Sequence, residues 1–76
     1  VTIRFALRRP GVVSLSVYDV NGRLVRALPV GEYPAGESSV AWDGRDQAGS
    51  RVATGAYFYR VTAGAASRVG KVIEIR

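Results

Sequence analysis

Asp43 and Asp46, separated by a glycine and an arginine, are the closest pair of carboxylates in the sequence and the first place to look for chemistry. Paired carboxylates act as acid and base in glycoside hydrolysis, and alternating oxygen ligands hold calcium. This spacing lacks the alternation and sets Arg45 inside the loop. The other acids, Asp19, Glu32, Glu37 and Glu74, fall mostly in turns or at strand ends, where carboxylates bond backbone amides. Histidine and cysteine are both absent. A nucleophile therefore has no base of near-neutral pKa, and zinc lacks its usual ligands. The glycines are dispersed and form no phosphate cradle. No cofactor or metal is expected, nor any small-molecule substrate. What remains is binding, spacing, anchoring or assembly.

The elements that position these residues follow a period of two. Ile3, Phe5 and Leu7 alternate with Thr2, Arg4 and Ala6, the pattern of a half-buried strand. Pro10-Gly11 ends it. Val13, Leu15 and Val17 then alternate with Ser14, Ser16 and Tyr18. Asn21-Gly22 suits a tight type I′ hairpin, and a third strand covers about 23–30, weakened at Pro29. Gly31 to Gly36 reads as a loop, and Ser38, Val40 and Trp42 share one face of a fourth strand. A polar turn, Asp43 to Gly49, precedes a short edge piece at 51–53. An aromatic strand follows over 56–62, and the last strand over about 68–75. Tyr57, Phe58 and Tyr59 are consecutive, so at least one must lie outside the core or under a loop. Turns recur every 8–12 residues or so, which predicts an all-β sandwich or small barrel of six to seven short antiparallel strands.

Length and charge narrow the partners. Seventy-six residues make a single domain, residues 1–76, with a thin core. A sequence without methionine that opens at Val1 reads as a processed product or an excised domain. No apolar run has the length of a membrane helix. The net charge of +5 comes from ten arginines and Lys71, with the arginines spread along the chain. No nucleic-acid module signature accompanies them, so the charge does not indicate a nucleic-acid partner.

Three stretches carry a family resemblance. They are Val17-Tyr18-Asp19-Val20-Asn21-Gly22-Arg23-Leu24-Val25-Arg26, Trp42-Asp43-Gly44-Arg45-Asp46-Gln47-Ala48-Gly49, and Val52-Ala53-Thr54-Gly55-Ala56-Tyr57-Phe58-Tyr59-Arg60-Val61. In this order the chain resembles the FlgD Ig-like domain, and it is similar to the C-terminal sorting domains of the type IX secretion system. The resemblance implies an immunoglobulin or fibronectin III-like β-sandwich. It also implies a C-terminal module of a secreted or cell-surface bacterial protein. The terminal stretch Arg68 to Arg76 is similar to the basic-then-apolar strand of the sorting domains, departing from it at Glu74 and Arg76.

The expected core is Phe5, Leu15, Val17, Val40, Trp42, Val61 and Ile73, with Trp42 at its centre. On the last strand, Val69, Ile73 and Ile75 are expected to cover the core and Val72 to face out. Lys71, Val72 and Glu74 then form a candidate edge-strand contact, with the two charges guarding the edge. The expected partners are proteins: parent-protein domains, secretion or surface machinery, or other copies of the chain. The leading reading is a sorting, anchoring or protein-contact module. A self-assembling extracellular filament or sheath subunit joined by strand addition is the alternative, and glycan or acidic-polymer binding through arginine and outward tyrosine is a third.

Overall fold

The computed structural model describes residues 1–75, apart from the side chain of Pro29. Arg76, the end of the terminal motif, lies outside the described residues. Six strands form in chain order: β1 (Thr2–Leu7), β2 (Gly11–Tyr18), β3 (Leu24–Tyr33), β4 (Gly36–Ala41), β5 (Gly55–Ala63) and β6 (Ala66–Glu74). They make two antiparallel sheets, one of order β1-β4 and one of order β3-β2-β5-β6. This is the all-β sandwich that the strand spacing predicts. The second-to-third strand connection, open from sequence, is a direct hairpin within the larger sheet.

Alternation decides which side chains go inside. On β2, Val13, Leu15 and Val17 are buried while Val12 is exposed. Ile3 joins them from β1, and Tyr57 and Val61 from β5. Trp42, just beyond β4, closes the core between the sheets. Phe5 and Val40 are half-buried against this cluster. Each fully buried large apolar side chain contributes roughly 1.5–3 kcal/mol, so these few residues carry much of the fold.

The structure corrects several expectations. Ile73 is 50% exposed and does not belong to the core; Val69 and Ile75 are also exposed, while Val72 packs inward. Register explains the reversal. Val72 stands opposite the buried Tyr57, and Gly70 opposite Tyr59, so the even positions of β6 share the inner face. The Tyr59 ring lies over Gly70, in the space a Cβ would fill. The inner face of β6 is thus built from glycine, valine and charged residues, and the stronger apolar period marks its outer face.

The Asn21-Gly22 turn is not type I′, because positive φ is confined to Gly22, at 84°. The Gly22 amide donates to the Asp19 carbonyl at 3.0 Å, the closure of a type I turn followed by a left-handed residue. Asp19 enforces it: its Oδ1 accepts the amides of Asn21 and Arg23 at 2.9 and 3.0 Å. β3 also runs past its expected end, through Pro29 to Tyr33, and pairs Gly31, Glu32 and Tyr33 with β2. The pairing carries a register shift between Val13 and Leu15. Only 34–35 remain as loop. The expected edge piece at 51–53 is reduced to one bridge, Arg45 with Arg51.

Candidate functional site

The tryptophan loop is a structural clamp. Asp43 Oδ1 accepts the Arg45 amide at 3.0 Å, and Asp46 Oδ1 accepts those of Ala48 and Ser50 at 3.0 and 2.9 Å. Both carboxylates are spent on turn geometry, the ordinary work of aspartate in such loops. Trp42 Nε1 donates to the Arg45 carbonyl at 3.0 Å, so the buried ring also fixes the loop above it. Tyr57 meets Trp42 edge-on, with centroids 5.4 Å apart. Its hydroxyl donates to the Ala53 carbonyl at 2.6 Å, tying down the far end of the segment.

The same loop covers a sheet edge. Gln47 donates its amide to the Val25 carbonyl at 2.9 Å and accepts the Ala27 amide on Oε1 at 2.7 Å. Arg26 Nη1 reaches the carbonyls of Arg45 and Asp46 and lies 3.7 Å from Asp43 Oδ1. The outward backbone groups of β3 at Val25 and Ala27 therefore already have partners. At the opposite end of the sheet, β6 pairs only with β5. An uncovered edge presents a row of unpaired backbone donors and acceptors. Among the described strands, β6, β1 and β4 keep an open side, as does β3 beyond the stretch that Gln47 covers, and these edges are the candidate contact surfaces.

The three candidate contact residues do not act as one patch. Lys71 is exposed on the outer face, whereas Val72 is half-buried beneath it. Glu74 folds against Gly44 of the tryptophan loop, where an added Cβ would collide with its carboxylate. Glu74 is thus a lid on that loop rather than a free guard of the edge. The roles of Gln47 and Tyr57 as loop anchors are new. A sequence gives little signal for a side chain such as Gln47, which bonds a backbone twenty residues away.

Two aromatic contacts flank the core, one of them on the outer face of the larger sheet. The Arg60 guanidinium lies 5.8 Å from the Tyr18 ring centroid, and Phe5 meets Tyr33 edge-on at 5.0 Å.

The Arg23 amide hydrogen bond, assisted by that of Asn21 and by the Arg23 charge, holds the Asp19 carboxyl below its ordinary 3.8. A depressed folded value means the charged form stabilises the folded hairpin. That contribution is complete above the ordinary value and disappears as pH falls through the folded one. The melting temperatures of wild type and Asp19→Asn should therefore differ most at neutral pH and converge as pH falls below the ordinary 3.8. A gap that ignored pH would show that the Asp19 charge does not stabilise the turn.

Residues 1–67 match the family model described as the FlgD Ig-like domain. The basal-body rod modification proteins FlgD of Salmonella typhimurium (strain LT2) and Salmonella typhi are each 39% identical to this chain over 51 residues. That stretch covers 67% of the chain but 22% of each relative, so the chain spans about a fifth of their length. The crystal structure of FlgD from P. aeruginosa superposes with a TM-score of 0.78 at 25% identity, covering 95% of this chain and 55% of that one. The chain belongs to the FlgD Ig-like domain family. The expected secreted or cell-surface location is corrected by these relatives, whose names place them at the basal-body rod. The sorting role drawn from the terminal strand gains no support from them.

Proposed function

We propose that this domain is a non-enzymatic protein-contact module of a basal-body rod modification protein. The observation that carries the reading is the family match over residues 1–67, together with relatives named for that role. The physical features agree with it. Every aspartate is engaged in a turn, and the exposed sheet edges offer backbone pairing to a neighbouring protein or domain. Main-chain hydrogen bonds along such an edge supply affinity, and alternate side-chain contacts supply selectivity. Pairing between copies through β6 is a second reading, favoured by its exposed outer row of Val69 and Ile73.

The test is an exchange of segments. In Salmonella typhimurium, the matching segment of the basal-body rod modification protein is deleted or replaced by this chain, and swimming is scored. Deletion should abolish swimming, and replacement should restore it. Unaided swimming by the deletion strain, or failure of the replacement, would overturn the reading.

A further inference from the structure

Between β1 and the start of β6 the sandwich has an open flank, and a groove of about 930 Å³ runs along it. Phe5 and Leu7 of β1, and Tyr59 and Val61 of β5, contribute its apolar lining. Arg4, Arg8, Arg9 and Arg68 surround that lining, and no described lining residue is acidic. None of these four arginines forms an ion pair among the described residues. The sequence hides this grouping, because Arg68 is far from the others and meets them only through the fold.

The backbone beside the groove is also available. Val1 and Trp42 exchange both hydrogen bonds, Val1 nitrogen to the Trp42 carbonyl at 3.1 Å and Trp42 amide to the Val1 carbonyl at 2.8 Å. In an antiparallel pair such residues alternate with ones that do not bond across the ladder. The register from Thr2–Ala41 to Leu7–Gly36 then aims the amides and carbonyls of Thr2, Arg4 and Ala6 away from β4. β1 has no partner on that side.

We infer that the groove accepts an extended peptide segment of alternating apolar and acidic residues, supplied by a protein partner and added as a strand to the free edge of β1. The inference rests on the reading of the domain as a protein-contact module and deepens it. Backbone bonds to Thr2, Arg4 and Ala6 set the register. One side-chain row enters the groove beside Phe5 and Tyr59, and the other meets the arginines. Charge complementarity selects acidic over basic segments, because rim charges govern encounter and like charges across an interface are costly.

The probe is a synthetic peptide alternating valine and glutamate over about seven residues, which spans the ~20 Å of β1. Its valine–lysine counterpart is the control. Binding to the 76-residue chain is followed by NMR and amide exchange. The acidic peptide should bind saturably and slow exchange at Thr2, Arg4 and Ala6. The double variant Arg4→Glu, Arg68→Glu should keep its melting temperature and lose about tenfold in affinity. Absence of binding, equal binding of the lysine peptide, or affinity unchanged in the double variant would overturn the proposal. So would protection at Lys71 and Ile73 instead, equal competition by single-stranded DNA, or the same protection arising from the chain alone as its concentration rises. These outcomes are separable from failure of the module reading: a chain that restores swimming but ignores the peptide loses the groove and keeps the broader role.

Discussion

Trp42→Ala should leave a chain that is largely unfolded or has lost most of its stability. Trp42 is 1% exposed and is the largest fully buried side chain. Truncating a buried aromatic costs roughly 3–5 kcal/mol, against a total of about 4–11 kcal/mol for a domain of this size. The loss extends beyond a cavity. Tyr57 loses its edge-on neighbour, and the Arg45 carbonyl loses the indole donor that holds the loop at 3.0 Å. That loop covers the edge of β3 through Gln47, so damage in the core also opens a sheet edge. Trp42→Phe keeps much of the volume but not the donor, and should fall between wild type and alanine. Urea denaturation followed by circular dichroism measures all three, since the substitutions remove the only tryptophan. An alanine variant with an unchanged midpoint would show that Trp42 does not hold the sheets together.

The sandwich is legible in the sequence because its central strands alternate cleanly. Val13, Leu15 and Val17 face a closed core, and a one-residue slip would expose all of them. Trp42 is legible for a related reason: a small domain has room for few side chains of that size, and this one follows a strand with matching parity. β6 misleads because the opposing sheet has only two strands. The core needs little from its inner face, which Gly70 yields to Tyr59 and Glu74 gives to the tryptophan loop. Its apolar residues are then free to lie on the outer face, where a period-two reading mistakes them for core. The type I′ expectation fails at Asn21 through a local competitor, the Asp19 carboxylate, whose accepted amides select another turn. The open edges are a different matter. Which strand ends a sheet depends on pairing between distant segments, and no local pattern in β1 or β6 records it.

The β6 edge permits a sharper experiment than deletion. The β5–β6 hairpin closes at Ala63 and Ala66 around a two-residue loop, with Gly64 at φ 60°, the geometry of a tight turn whose flanking residues exchange both hydrogen bonds. Counting along the register by twos, Arg68, Gly70, Val72 and Glu74 bond across to β5. Ser67, Val69, Lys71 and Ile73 aim their amides at the open side. Proline is tolerated where the missing hydrogen faces solvent and is disruptive where it breaks the ladder. Lys71→Pro should therefore leave the domain folded, with a melting temperature near that of wild type. Val72→Pro removes a ladder bond, leaves the facing β5 carbonyl unpaired at about 1–3 kcal/mol, and displaces the inward valine opposite Tyr57. Circular dichroism should show it unfolded or strongly destabilised. Deleting 68–76 should be worse still, because β5 would lose its partner along most of its length. Light scattering adds the functional half: if copies associate through β6, Lys71→Pro abolishes the association while the monomer persists. A folded Val72→Pro together with an unfolded Lys71→Pro would invert the register assigned here and place the free amides of β6 on the other residue set.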